Sequence, residues 1–189
     1  MGRPLIIYLH GFCSSPASWK SRLLAEYMAG RGLAGSFACP QLSPVPDEAE
    51  AQIARLIGAA NGPVTLVGSS LGGHYANCLA EKYDLPAVLI NPAVVDRLDL
   101  SLFIGEHANF HSGESFVFTE SHAAQLKAQV RPPSQGRYWL LLETGDEVLD
   151  YRQALDFYGA CRQSVLPGGD HSFTKFPEFM PQILEFAGL

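Results

Sequence analysis

The chain has 189 residues, of which 47% are hydrophobic and 17% charged, and its formal net charge at pH 7 is −6. This length fits one domain, and this hydrophobicity excludes an intrinsically disordered chain. The basic residues are scattered singly, which argues against a nucleic-acid surface, and no apolar run reaches the roughly 18 residues of a membrane span.

Short apolar runs alternate with longer amphipathic ones along the chain, which predicts alternating strands and helices. The first half contains predicted strands at 5–9, 36–39, 64–67 and 87–90, and predicted helices at 18–31, 47–60 and 71–83. Asp47, with Glu50 three residues on, resembles a capping pair for the second helix.

The alternation stops over residues of about 93–135, where no strand is clear and the best helix is 120–130. It resumes with predicted strands at 137–143 and 164–166 and helices at 151–160 and 177–186. Strands that alternate with helices predict βαβ units. Right-handed crossovers then give a six-stranded parallel sheet with helices on both faces.

The most informative motif is G-x-S-x-G, formed by Gly68, Ser70 and Gly72 between a predicted strand and a predicted helix. That context is the one required by a nucleophile elbow, a sharp turn that exposes a reactive serine. The alternatives are a glycine-rich turn without catalysis and a turn that binds phosphate at the helix N-terminus. The P-loop form of the latter needs a lysine after the glycines, where this chain has His74.

A serine hydroxyl is a weak nucleophile without a neighbouring base. In proteins with this elbow the acid follows the serine in the chain and the histidine follows the acid. His171 fits the base, because it lies in a Pro-Gly-Gly-Asp loop after the last predicted strand. Asp146 fits the acid, because it follows the strand before; a helix cap is its other interpretation. Glu143 is expected along the flanks of that strand, and Glu147 at the solvent or capping the next helix.

Two backbone N–H groups are candidates for an oxyanion hole. One belongs to Leu71, the residue after the predicted nucleophile, and the other to Phe12, in the His-Gly loop after the first strand. We expect His10 to brace that loop through hydrogen bonds rather than to carry protons.

The remaining histidines and the cysteines give no metal-binding pattern. His74 is expected in a pocket or at the surface, and His107, His111 and His122 at the solvent or in a lid. The four cysteines contain no CxxC pair, and we interpret them as free thiols of a cytoplasmic protein.

Together these segments resemble the α/β-hydrolase superfamily, and within it the small YqiA-type bacterial esterases. The resemblance rests on 8–16, 68–73, 91–93, 144–154 and 168–173, with departures at Asp170 and His74, where the family has asparagine and an aromatic residue. These departures spare the proposed nucleophile, base and acid but could alter the charge of the pocket and the pH dependence.

The resemblance implies a three-layer α/β-hydrolase fold over residues 1–189, as a single domain with a small helical cap at about 93–135. The implied strand order is 2-1-3-4-5-6, and the two leading strands of a full eight-stranded core are expected to be absent. Four phenylalanines of the cap suggest an apolar acyl pocket: Phe103, Phe110, Phe116 and Phe118.

The implied function is that of a serine esterase that hydrolyses short- to medium-chain acyl esters through an acyl-enzyme. Ser70 would be the nucleophile, His171 the base and Asp146 the orienting acid. An acyl-CoA thioesterase is an alternative, with Lys20, Arg22 or Lys127 at the pocket mouth for the CoA phosphates. A catalytically silent ligand-binding domain on the same scaffold is another.

The expected partner is a small-molecule acyl ester or thioester. No metal, organic cofactor, nucleic acid or membrane span is expected, and the protein is expected to be a monomer or small homo-oligomer.

Overall fold

Eight strands and six α-helices make up the computed structural model, which describes residues 2–189. The strands are β1 (Leu5–Leu9), β2 (Phe37–Ala38), β3 (Val64–Ser69), β4 (Ala87–Ile90), β5 (Gly105–Ala108), β6 (Ser115–Phe118), β7 (Tyr138–Glu143) and β8 (Arg162–Leu166). The helices are α1 (Trp19–Ala29), α2 (Pro46–Ala59), α3 (Leu71–Tyr83), α4 (Glu120–Ala128), α5 (Tyr151–Tyr158) and α6 (Phe176–Phe186).

Six of the strands form one parallel sheet in the order β2-β1-β3-β4-β7-β8. With β7 and β8 as the fifth and sixth strands of the sheet, this confirms the predicted order. Because the strands are parallel, the loops after β1, β3, β4, β7 and β8 all emerge at the same edge of the sheet. Ligand sites of open α/β sheets lie at this carboxyl edge.

The central strands are buried on both faces, which explains their continuous apolar sequences. Ile6 and Tyr8 belong to the apolar cluster that β1 shares with α1 and α6, whereas Ile7 and Leu9 belong to the cluster shared with α2, α3, α4 and α5. The alternation of side chains along each strand therefore produces two cores, one on either side of the sheet. The result is the three-layer α/β-hydrolase fold.

The segment between β4 and β7 differs from the prediction. It contains two short 3-10 turns and α4, but also an antiparallel hairpin, β5–β6, in a stretch expected to contain no strand. Each strand has only four residues, too few for alternation to stand out. Asn109 stabilises the turn, because its carboxamide oxygen accepts hydrogen bonds from the N–H groups of His111 and Ser112.

The predicted capping pair of α2 is also wrong. The helix begins at Pro46, whose fixed φ suits the first helical position, and Val45 is its N-cap. Asp47 lies inside the first turn, and its carboxylate instead accepts a hydrogen bond from the side chain of Gln129. Asp47 thus connects α2 to the end of α4, and Glu50 forms an ion pair with Lys82 of α3.

The prediction for the cysteines is confirmed. All four cysteines are free thiols. Within residues 2–189, no helix is both long and apolar enough to cross a membrane.

Candidate active site

The turn between β3 and α3 places Ser70 at the carboxyl edge of the sheet, with φ 56° and ψ −123°. A positive φ is strained for a residue with a side chain. The two flanking glycines are required by space: a Cβ on Gly68 would lie 2.3 Å from the carbonyl oxygen of Gly72, and one on Gly72 would lie 2.0 Å from that of Leu9. The turn therefore has the tight, strained backbone geometry that a nucleophile elbow requires.

Hydrogen bonds join the three residues predicted as nucleophile, base and acid. The Nε2 atom of His171 lies 3.0 Å from the hydroxyl oxygen of Ser70, and its Nδ1 atom lies 2.8 Å from a carboxylate oxygen of Asp146. A carboxylate can only accept, so Nδ1 carries the ring proton. The unprotonated Nε2 then faces the serine hydroxyl, which is the tautomer that a general base requires.

Asp146 is held as an ion and in a fixed orientation. Its other carboxylate oxygen accepts hydrogen bonds from the N–H groups of Val148 and Leu149, each at 2.8 Å. Burial acts to raise the pKa of the carboxyl, but the hydrogen bonds from His171 and from these two N–H groups outweigh it and lower the pKa. The interpretation of Asp146 as a helix cap is not supported, since Asp150 caps α5.

The loop that carries His171 is fastened by side chains that the sequence analysis did not assign to the site. The buried Asn91 donates from its carboxamide to the carbonyl oxygens of Asp170 and His171, at 3.1 and 3.3 Å, and accepts from the N–H of Glu143. Asn91 directly follows β4, so its position at the carboxyl edge was the available signal. Glu147 is exposed, as predicted, and its carboxylate also accepts from the N–H of His171 at 3.0 Å.

Two more charged side chains hold this loop. Glu143 is fully buried, and its carboxylate accepts from the N–H of Asp170. Lys20, near the start of α1, donates to the carbonyl oxygen of Ser172 at 2.7 Å. Burial lowers the pKa of Lys20 to about 8, although the carboxylates of Asp170, Glu143 and Asp146 act to raise it. The loop of His171 is thus held by side chains from α1, from the residue after β4 and from the end of β7.

Positive φ angles concentrate around this site. Cys13, Ser70, Asn91 and Phe173 all have φ between 39° and 56°. They lie respectively in the loop after β1, at the elbow, after β4 and in the loop of His171. A strained backbone is maintained only where the surrounding contacts hold it in place, and strained residues are concentrated at functional sites.

The N–H groups of Phe12 and Leu71 flank the serine and are free to bind a ligand. Neither donates a hydrogen bond to any atom of residues 2–189. The two loops approach closely, since a Cβ on Gly11 would lie 3.2 Å from the Cβ of Ser70. His10 braces the first loop as expected: Nδ1 donates to the carbonyl of Gly11, and Nε2 accepts from the N–H of Leu42. Burial lowers the pKa of His10, which keeps the ring neutral.

A cavity of about 680 Å³, here called the first cavity, opens onto Ser70 and His171. Most of its lining side chains are apolar, including Phe103, Phe110 and Phe118 of the segment after β4. The fourth phenylalanine predicted for this pocket, Phe116, does not line it. It lines a neighbouring cavity and packs edge-on against Phe12.

The four histidines without a predicted catalytic or bracing role lie in different environments. His74 is buried, contrary to expectation, and its Nε2 has no hydrogen-bond partner among residues 2–189. His107 is half-buried with its Nε2 bonded to the carbonyl of Phe103, and His122 forms a capping box with Thr119 at α4. Only His111 of this group is exposed at the first cavity. In the described part of the chain, no group of three His, Cys, Asp or Glu side chains could hold a metal ion.

Proteins of known structure share this architecture over most of their lengths. A protein from Agrobacterium vitis S4 has a TM-score of 0.76 at 19% identity, over 98% of this chain and 88% of its own. Mouse alpha/beta hydrolase domain-containing protein 10 has a TM-score of 0.74 at 18% identity, over 100% and 91%. A structure of the metagenome-derived lipolytic enzymes LipS and LipT has a TM-score of 0.68 at 18% identity, over 99% and 94%.

These identities are low enough that the structural likeness establishes the fold alone. The sequence itself matches a family model over residues 5–188, which is nearly its whole length. By that match, the chain belongs to the Uncharacterised protein family (UPF0227), here seen with the architecture of an α/β hydrolase.

Proposed function

We propose that the protein is a serine esterase that hydrolyses carboxylic esters with short- to medium-chain acyl groups. The observation that carries the proposal is the continuous hydrogen-bond chain from Ser70 through His171 to Asp146, facing a largely apolar cavity of about 680 Å³. A serine paired with an oriented base is the arrangement that nucleophilic catalysis requires.

In the first step the Ser70 oxygen bonds to the ester carbonyl carbon while its proton passes to Nε2 of His171. The carbonyl oxygen becomes an oxyanion, which the N–H groups of Phe12 and Leu71 bind. Each such donor is typically worth about 3–4 kcal/mol of transition-state stabilisation. The Asp146 carboxylate stabilises the imidazolium formed on His171.

In the second half of the first step the ester C–O bond breaks, and the alcohol leaves with the proton from Nε2. Water then gives a proton to Nε2 while its oxygen bonds to the acyl carbon. The acid is released as Ser70 takes the proton back. The direct contact between Ser70 and His171 at 3.0 Å is what lets one ring serve as base and then as acid.

The fold supports a hydrolase, and lipolytic enzymes are among the structures that share it. The three basic side chains considered for a thioesterase do not gather at the cavity. Only Lys20 lines it, while Arg22 and Lys127 are exposed elsewhere. Among residues 2–189, no cluster of lysine and arginine side chains lines the cavity to bind the phosphates of CoA, which supports an oxygen ester as the substrate.

A silent ligand-binding domain would carry a missing or misaligned member of the hydrogen-bond chain. The distances between Ser70, His171 and Asp146 argue against that alternative. The positive φ of Ser70 also argues against a silent domain, because ligand binding alone does not require a serine with a strained backbone.

The test combines a chain-length panel of p-nitrophenyl esters, from acetate to palmitate, with labelling by a fluorophosphonate probe. We expect the highest kcat/KM between butyrate and octanoate, and labelling of Ser70 identified by peptide mass. Ser70→Ala should remove both activity and labelling. Ser121→Ala, an exposed serine on α4, is the matched control and should change neither.

Full activity of Ser70→Ala would refute the proposal. So would hydrolysis of acyl-CoA with a higher kcat/KM than that of the corresponding oxygen ester, since the thioesterase would then be the correct alternative.

A further inference from the structure

A second cavity, of about 630 Å³, is also lined by the loop formed by residues 10–14. Both cavities are lined by Gly11, Phe12 and Leu71, but neither Ser70 nor His171 lines the second one. The two proposed oxyanion donors, Phe12 and Leu71, are therefore among the residues that line both cavities.

The second cavity differs from the first in its chemistry. Its walls carry the carboxylates of Glu48 and Glu114 and the carboxamides of Gln41 and Gln52. No lysine or arginine within residues 2–189 lines it. Its polar lining is thus rich in hydrogen-bond acceptors and has negative charge at its edge.

Tyr75 supplies an independent indication of a ligand. This α3 residue is only 4% exposed and lines the second cavity. Across the described residues, its hydroxyl makes no hydrogen bond, and its oxygen is not fully enclosed by protein atoms. Buried hydroxyls in proteins ordinarily have hydrogen-bond partners. A hydroxyl without one beside a cavity therefore indicates that a ligand or water in the cavity bonds to it.

The direction of proton transfer decides which part of an ester would reach this cavity. The departing alcohol takes a proton from His171, so it lies beside that ring, in the first cavity. The carbonyl oxygen lies at the N–H groups of Phe12 and Leu71. The acyl chain is then the part that can extend past these residues, away from His171.

We propose that the second cavity binds the far end of the acyl chain and selects chains that end in a hydrogen-bond donor, a hydroxyl or an ammonium group. This inference rests on the proposed ester hydrolysis. An anionic end is disfavoured, because the carboxylates of Glu48 and Glu114 repel it and no cation of the cavity compensates.

The test uses ethyl esters of equal chain length whose ends differ: hexanoate, 6-hydroxyhexanoate, 6-aminohexanoate and the adipate monoester. Hydrolysis is followed with a pH indicator. We expect kcat/KM for the hydroxyl and ammonium ends to exceed that for the methyl end by about two- to tenfold, the range of one net hydrogen bond. We expect the carboxylate end to be the poorest.

Two variants assign the effect to this cavity. Tyr75→Phe removes only a hydroxyl without a protein partner, and it should bring the ratio of 6-hydroxyhexanoate to hexanoate close to one. Glu48→Gln should reduce the discrimination against the adipate monoester. Tyr83→Phe, an exposed tyrosine at the end of the same helix, should leave both ratios unchanged.

The outcomes separate this inference from the proposed function. If the hexanoate ester is hydrolysed in a Ser70-dependent manner but terminal hydroxyl and ammonium groups give no advantage, the inference fails and the esterase stands. An advantage that survives Tyr75→Phe and Glu48→Gln also overturns the inference. If no ester of the series is hydrolysed, the proposed function itself fails.

Discussion

Replacing Asp146 by asparagine tests the proposed mechanism at one atom. One carboxylate oxygen accepts hydrogen bonds from the backbone N–H groups of Val148 and Leu149. The other accepts a hydrogen bond from Nδ1–H of His171. The single side-chain oxygen of an asparagine can accept either the two backbone hydrogen bonds or the hydrogen bond from His171, but not both. Keeping the two backbone bonds retains about 1 kcal/mol more than keeping the single bond to the ring, because a net hydrogen bond is worth about that much.

The asparagine NH₂ group therefore faces His171 and donates to Nδ1. The ring proton must then reside on Nε2, where it faces the Ser70 hydroxyl and leaves no acceptor for the serine proton. A wrong tautomer of this kind lowers kcat by about 10⁴-fold, which corresponds to about 5 kcal/mol of barrier. We expect a loss of that size with little change in KM.

The assay is steady-state hydrolysis of p-nitrophenyl butyrate, together with a thermal melt to confirm that the variant folds. Asp150→Asn is the control, since Asp150 is an exposed N-cap on the next helix and should keep nearly full activity. A folded Asp146→Asn variant with less than about a tenfold loss of kcat would refute the tautomer argument, because it would mean that Nε2 of His171 stays unprotonated without the carboxylate.

Three further substitutions test the support of the site. Asn91→Ala should lower the free energy of unfolding by about 3 kcal/mol, since it leaves the buried N–H of Glu143 without its acceptor and puts alanine at φ 39°; kcat should fall as the His171 loop loosens. Gly72→Ala should cost more than about 3 kcal/mol, because the new Cβ meets a backbone carbonyl at 2.0 Å. His74→Phe should stabilise the protein increasingly as the pH falls from about 6.5 to about 4. Burial lowers the pKa of His74 to about 4, so the unfolded chain binds a proton in that window that the folded protein excludes, and the difference reaches about 3 kcal/mol.

Urea unfolding measures all three stabilities. Gly58→Ala is the control for the glycine, since nothing lies within 4 Å of the position of its Cβ on α2 and helix propensity should raise stability by up to about 1 kcal/mol. Asn61→Ala, at an exposed site, is the control for Asn91. A His74→Phe variant whose stability parallels that of the unmodified protein from pH 7 to pH 4.5 would contradict the pH argument. Full stability of either of the other two variants would contradict the packing arguments.

Much of the fold follows from local pattern, because a strand buried on both faces and a helix with one apolar face have distinct periodicities. The limits predicted for β1, β4 and α3 are those found. The elbow could also be predicted, since a serine between two glycines at a strand-to-helix turn is a local arrangement. The hairpin could not, because its pairing of Gly105 with Phe118 depends on contacts that a four-residue pattern does not encode.

The sequence by itself determined the alternation of strands and helices, the elbow at Ser70 and the residues proposed as base and acid, whereas the strand order was implied by the resemblance to α/β hydrolases. Chain order and local turn chemistry are sufficient for these. Only the tertiary structure decided what holds His171 in place and what surrounds the serine. Asn91 and Lys20 meet the His171 loop across 79 or more positions of the chain, and the two cavities are enclosed by loops from several elements. Contacts between residues so far apart leave no periodic trace in the sequence, since they arise only when separate strands end at one edge of the sheet.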